Sequence, residues 1–271
     1  MLWKRALIAL TLGPLALYLV YLGGWFYFLP ITAVFVLAAV EYSHIMEKIG
    51  ARVSVWLLAP AVVIQFIMAQ WPSLALFELL TFLTLLIFMA YALWLYERQI
   101  SAHATLDWVS MMGGLLLFGW VASYFLRLRG VETYAWQWTI VALLSTWSAD
   151  SGAYLVGKFM AGKVLGRHQL SPRLSPNKTV EGYVGGIVFG VLFTVSVAYF
   201  LLQLAWLPAL IIALLASIVS PLGDLGMSLL KREAKVKDSG AIFGEHGGAL
   251  DRIDSLIWTM AMSYFVVLYL A

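Results

Sequence analysis

Apolar residues run through this chain in stretches of roughly 17 to 25, the length that carries a helix across a hydrocarbon core, separated by short polar connections. The runs fall near 6–22, 25–45, 53–70, 74–96, 108–126, 134–156, 180–202, 206–227 and 254–270. The pattern predicts an all-α polytopic membrane protein of about nine transmembrane helices. Two polar loops break the rhythm, at 157–179 and 228–253, and nine spans would put the termini on opposite faces.

Composition agrees with the pattern. Of 271 residues, 63% are hydrophobic and 11% charged, and mean hydropathy is +0.91, whereas a soluble domain is typically about 45–50% apolar. The absence of cysteine excludes disulfides, thiol nucleophiles and cysteine metal sites. Met1 to Arg5 followed by an apolar run resembles a signal peptide, but Pro14 and the continuation to Leu22 favour a retained first span.

The net charge of +3 matters less than its placement. Short cytoplasmic loops are enriched in Lys and Arg. Alternate connections, counted from the N-terminus, hold 15 of the 17 cations, leaving only Arg127 and Arg129 for the other side. The N-terminus and both long loops are therefore expected inside, where nucleotides are available. No internal repeat is evident. Residues 1–130, with short connections and scattered Trp and Tyr, read as scaffold or lipid contact; residues 131–271 carry the polar groups and read as a catalytic membrane domain.

The densest polar stretch runs from Ser228 to Asp254. It holds Lys231, Arg232, Lys235, Lys237 and Arg252 against Glu233, Asp238, Glu245, Asp251 and Asp254, with His246 ahead of Gly247-Gly248. Carboxylates suit a hard cation, and ammonium and guanidinium groups suit phosphates. A solvated loop would explain the charges but not the four glycines.

Other candidates carry ordinary alternatives. Asp224, Ser228 and Lys231 would share one face of a continuing helix, and a carboxylate at that depth is costly unless paired or metal-bound; a plain ion pair is the alternative. Asp251 and Asp254, at i and i+3, could share a divalent ion or simply favour a helix start. Asp150 is functional by the same cost argument, or a helix-packing residue among Ser148, Ser151 and Gly152. Ser175, Asn177, Lys178 and Thr179 precede a helix and could cradle phosphate, or cap it. The run Gly157 to Gly166 is no Walker motif, because Val164 stands at the hydroxyl position. His246 alone reads as a solvated loop residue, and Glu41 and Glu78 as interfacial.

Taken together, Ser228-x-x-Lys231-Arg232-x4-Lys237-Asp238-x-Gly240 and His246-Gly247-Gly248-x-x-Asp251-Arg252-x-Asp254 closely resemble the signature of phosphatidate cytidylyltransferases, the CDP-diacylglycerol synthases. The Asp150 segment and Ser175 to Gly182 look like further family blocks, so the resemblance covers roughly 145–271. Gly244-Glu245 and Ala249 depart from the usual pattern without removing a charged candidate.

The resemblance implies that CTP and phosphatidic acid give CDP-diacylglycerol and pyrophosphate, in phospholipid biosynthesis, with Mg2+ and room for a second cation. Asp224, Asp251 and Asp254 would hold the metal. Lys237, Asp238, His246 and Arg252 join them as catalytic candidates, and Asp150, Ser175, Asn177, Lys178, Ser228, Lys231 and Arg232 as substrate-binding ones. The expected setting is a bacterial inner membrane with the site facing the cytoplasm. The bilayer and the two substrates are the expected partners, a homodimer is compatible, and no nucleic acid is implied. A transporter using Asp150 and Asp224 as a relay leaves the cation-rich loop unexplained; a CTP-dependent lipid kinase would instead release CDP.

Overall fold

The computed structural model describes residues 2–240, 242 and 247–271. Among these, each predicted apolar run falls on helix: α1 (Leu2–Leu22), α2 (Gly24–Ile49), α3 (Val55–Gln70), α4 (Phe77–Glu97), α5 and α6 (Ala104–Gly114, Tyr124–Arg129), α7 (Ala135–Phe159), α8 (Val180–Ser196), α9 (Trp206–Glu233), and α10 and α11 (Leu250–Ile253, Leu256–Leu270). In lipid, a helix satisfies its own backbone hydrogen bonds, which is why the runs take this form.

Six of these segments are long and apolar enough to cross a membrane: Gly24–Ile49, Phe77–Glu97, Ala104–Arg129, Val180–Leu201, Trp206–Glu233 and Leu250–Leu270. Helix α3 has 16 residues, which at about 1.5 Å per residue falls short of a full hydrocarbon core. Helix α7 has the length, at 25 residues, but Ser145, Thr146, Ser148, Asp150 and Ser151 dilute its hydropathy. Phe26, Trp56, Phe82, Leu93, Leu192 and Phe200 are each more than half exposed, the outward apolar face expected of helices solvated by lipid. The chain is a mainly helical integral membrane protein.

The fold is not purely α. Within the first polar loop, β1 (Gln169–Ser171) and β2 (Ser175–Thr179) form an antiparallel pair. The segment 175–179, expected to be a loop, is thus a strand running straight into α8. Only Thr179 caps that helix, its hydroxyl accepting from the Gly182 N–H at 3.1 Å.

Two compact units divide the chain. The first comprises Met1–Tyr27, Leu128–Leu229 and Asp254–Ala271. Its centre is the α7–α8 contact, where Gly182, Gly186 and Gly190, spaced one turn apart, let α8 lie on the backbone of Ala149 and Ala153 and on Gly157. Such small-residue stripes permit close helix approach where lipid offers no hydrophobic drive. Hydroxyls join the same helices to their neighbours: Thr146 donates to Thr259 of α11 at 3.0 Å, and Ser148 and Thr194 lie 3.3 Å apart. Arg129 donates to the Val20 carbonyl at 2.7 Å and the Tyr21 carbonyl at 3.3 Å, satisfying the end of α1.

The second unit comprises Phe28–Arg127 and Leu230–Ile253. Its core is aromatic: Phe35 packs against Phe66 and Phe125 with ring centroids 5.3 and 5.1 Å away. The Tyr42 hydroxyl donates to the Ser110 carbonyl at 2.8 Å, and fully buried Asp107 accepts the Arg52 N–H at 2.6 Å.

Candidate functional site

In the first unit, polar side chains converge on one turn of α9. Ser220 donates to the Asp150 carboxylate of α7 at 3.0 Å. Asp224, one turn further and so on the same face, pairs with the Lys178 ammonium from β2. Gly223 lies flat against the backbone of Asp254 and Ser255; a Cβ there would meet the Asp254 carbonyl oxygen at 2.5 Å. Asp254 is buried, and one carboxylate oxygen accepts the Ser255 N–H at 2.7 Å and its hydroxyl at 3.0 Å. The side chains of Asp150, Lys178 and Asp224 are therefore gathered on a single stretch of helix, against which the backbone of Asp254 packs.

The hairpin delivers Lys178. Thr179 fixes the strand's exit by capping α8. Glu181, in the first turn of α8, accepts the His168 N–H at 3.1 Å and faces its Nδ1 at 2.6 Å. The Val180 N–H closes the base by donating to the His168 carbonyl at 2.8 Å. Ser175 pairs with Ser171 in the ladder, and Asn177 is exposed on the hairpin.

In the second unit, Lys231 at the end of α9 is 8% exposed, and its ammonium donates to Asp251 Oδ1 at 2.5 Å. The other oxygen, Oδ2, accepts the Ser239 N–H at 2.9 Å, the Ser239 hydroxyl at 2.9 Å and the Gly248 N–H at 3.0 Å. A buried charge is tolerated when it is paired and hydrogen-bonded in this way.

Helix α9 continues unbroken through Asp224, Ser228 and Lys231 to Glu233, six residues into the stretch expected as a polar loop from 228, and Ser228 is buried. Arg232, Lys237, Asp238 and Arg252 are exposed, and Arg232 reaches back to the Val236 carbonyl at 3.2 Å. His246 lies outside the described residues. Asp251 lies in α10 and Asp254 at the turn before α11.

Three participants were not singled out by sequence reasoning: Ser220, Ser239 and Glu41. Glu41 was expected at an interface. It is 4% exposed and accepts hydrogen bonds from Ser239, Ala249 and Leu250.

Among the described residues, no three carboxylate or imidazole groups gather as a ready-made metal cage. Mg2+ needs no such cage: it takes one or two carboxylates and draws its other ligands from water and substrate phosphates. The lysine ammonium on Asp224 and the one on Asp251 mark where positive charge is favoured.

Comparison with known proteins places these features in context. The model of the cytidylyltransferase family matches residues 3–270. A phosphatidate cytidylyltransferase of Synechocystis is 32% identical over 300 aligned positions, covering 98% of this chain and 97% of that protein. The Bacillus subtilis phosphatidate cytidylyltransferase is 39% identical over 153 residues, and that of Staphylococcus aureus strain COL 36% identical over 150. Those two matches span about half of each relative, 55% of its length.

Proposed function

The chain belongs to the cytidylyltransferase family, and on that premise we propose that it condenses CTP with phosphatidic acid in the membrane, giving CDP-diacylglycerol and pyrophosphate. The single observation that carries the reading is the meeting of Asp150, Lys178 and Asp224 on one turn of α9, with the backbone of Asp254 packed against Gly223 of the same turn. Such a polar cluster among apolar helices is costly without a charged ligand to serve.

A phosphatidate phosphate oxygen attacks the α-phosphorus of CTP. The new P–O bond forms as the bond from the α-phosphorus to the α,β-bridging oxygen breaks, and its electron pair leaves with pyrophosphate. The phosphomonoester is already anionic near neutral pH, so the protein needs little base catalysis; its task is positioning and charge neutralisation. Lys178 and Lys231 already have their ammonium groups aimed by carboxylates, which lowers the entropy lost when phosphate oxygens replace or join those partners. Arg232, Lys237 and Arg252, exposed on the polar stretch, can swing to the triphosphate or the lipid phosphate. Ser220 orients Asp150. Ser175, Asn177, Ser228, Asp238 and His246 complete the assignment on the motif alone.

Mg2+, when bound, would neutralise phosphate charge and stabilise the leaving pyrophosphate. The motif assigns it to Asp224, Asp251 and Asp254. The same reading has nine spans, the N-terminus inside and the reacting groups at the cytoplasmic face of a bacterial inner membrane. Residues 131–271 carry the chemistry and residues 1–130 the scaffold, with Glu41 the exception. A homodimer is compatible with this arrangement, and no nucleic acid is involved.

The test is pyrophosphate release by the purified protein with CTP and Mg2+. Release that depends on added phosphatidate supports the reading; release indifferent to the lipid contradicts it.

A further inference from the structure

A carboxylate buried in an apolar helix must be compensated, and Glu41 is compensated by the backbone of a distant segment. Its Oε1 accepts the Ala249 N–H at 2.9 Å; its Oε2 accepts the Leu250 N–H at 2.9 Å and the Ser239 hydroxyl at 2.8 Å. The two oxygens of one carboxylate thus meet two consecutive N–H groups, a match that a single-acceptor side chain cannot make.

The glycines around it are shaped to the same group. A Cβ on Gly240 or on Gly248 would overlap the Glu41 carboxylate, whose atoms are the nearest neighbours in both places. Gly240 and Gly248 belong to the polar stretch singled out from the sequence, where nothing explained why glycine stands at those positions. Glu41 supplies the reason: the backbone closes over a carboxylate from another helix.

Ser239 links this anchor to Asp251. Its hydroxyl lies 2.8 Å from Glu41 Oε2 and 2.9 Å from Asp251 Oδ2, and with a single proton it donates to one of them at a time. Among the described residues, three of the four hydrogen bonds to Asp251 come from Ser239 and Gly248, the residues that enclose Glu41.

We propose that Glu41 is a positioning residue that holds the backbone at 239–240 and 248–250, and through Ser239 and Gly248 the Asp251 carboxylate, in the geometry that turnover requires. The proposal rests on Asp251 belonging to the active site. Glu41→Gln keeps the volume but turns one acceptor into a donor facing an N–H group, so the clamp opens. A displacement of about 1 Å at a reacting group can cost about 100-fold in rate, and that is the expected fall in kcat.

The experiment compares purified Glu41→Gln, Glu41→Asp, Ser239→Ala and Asp251→Asn with the parent. It measures kcat and KM per folded molecule, thermal midpoint, and amide exchange of the peptide containing Ala249 and Leu250. Glu41→Gln is expected to lower its midpoint modestly, lose kcat about 100-fold and exchange those amides about tenfold faster. Glu41→Asp, which keeps the charge, should recover part of the rate. Ser239→Ala, losing a hydrogen bond to a charged group, should cost about tenfold. Parent-like kcat per folded molecule in Glu41→Gln, or in Ser239→Ala should the former not fold, overturns the positioning role. Parent-like turnover in Asp251→Asn instead overturns the active-site reading on which it rests.

Discussion

The Lys178 ammonium rests against the Asp224 carboxylate, joining the end of β2 to the last third of α9. Their side chains are 30% and 32% exposed. That is too buried for a freely screened surface pair, which is worth little, and too open for a sealed structural one. A half-exposed pair of this kind can trade a carboxylate contact for a phosphate contact without first unpacking the helices.

Asp224→Asn keeps the shape and removes the charge. Turnover is expected to fall by about 100-fold or more, the scale of losing one preorganised electrostatic group, while the protein stays monodisperse. Labelled-CTP turnover per folded molecule measures it, and a near-normal rate removes Asp224 from the mechanism.

Lys178→Met leaves Asp224 unpaired and removes a phosphate ligand, so both kcat and KM for CTP should worsen. Lys178→Arg keeps the charge but replaces a compact ammonium with a planar fork and should recover only part of the loss. Steady-state kinetics on the three proteins distinguishes the cases; equal rates in all three would detach Lys178 from catalysis.

Much of the fold was legible in the chain, and the reason is physical. Apolar runs must hydrogen-bond internally in lipid, so every predicted run lies on helix; α9 runs on to Glu233, past the end of its apolar run at 227, because Ser228 to Glu233 holds no helix breaker. The β1–β2 hairpin was hidden because its strands have three and five residues and one contains Pro176. Pairing was also hidden. Nothing local says that Lys178 meets Asp224 or that Asp150 meets Ser220, because those contacts depend on how α7, β2 and α9 come together. The partners of Glu41 were hidden for the same reason, since Ser239, Ala249 and Leu250 lie about 200 residues away in the chain.

Thr179→Ala deletes the hydroxyl that caps α8 and fixes the exit of the strand carrying Lys178. Loss of such a cap costs about 1 kcal/mol. The thermal midpoint in detergent should drop modestly and KM for CTP should rise; an unchanged midpoint would show that the cap is dispensable.

Gly186→Val places a branched side chain where the Ala149 carbonyl oxygen lies 2.7 Å from the position of even a Cβ. Overpacking of this kind costs roughly 1–3 kcal/mol, and here it prises α8 from α7. The fraction of monodisperse protein remaining after a heating series should fall well below the parent's, whereas Gly226→Ala, where a Cβ meets nothing within 4 Å, should match it.

The most direct measurement uses CTP labelled separately in its α- and γ-phosphates, with phosphatidate and Mg2+, on the purified protein. The account predicts that α-label enters the extracted lipid as CDP-diacylglycerol while γ-label leaves in pyrophosphate. Lipid carrying γ-label, with CDP released, would contradict it and identify a kinase.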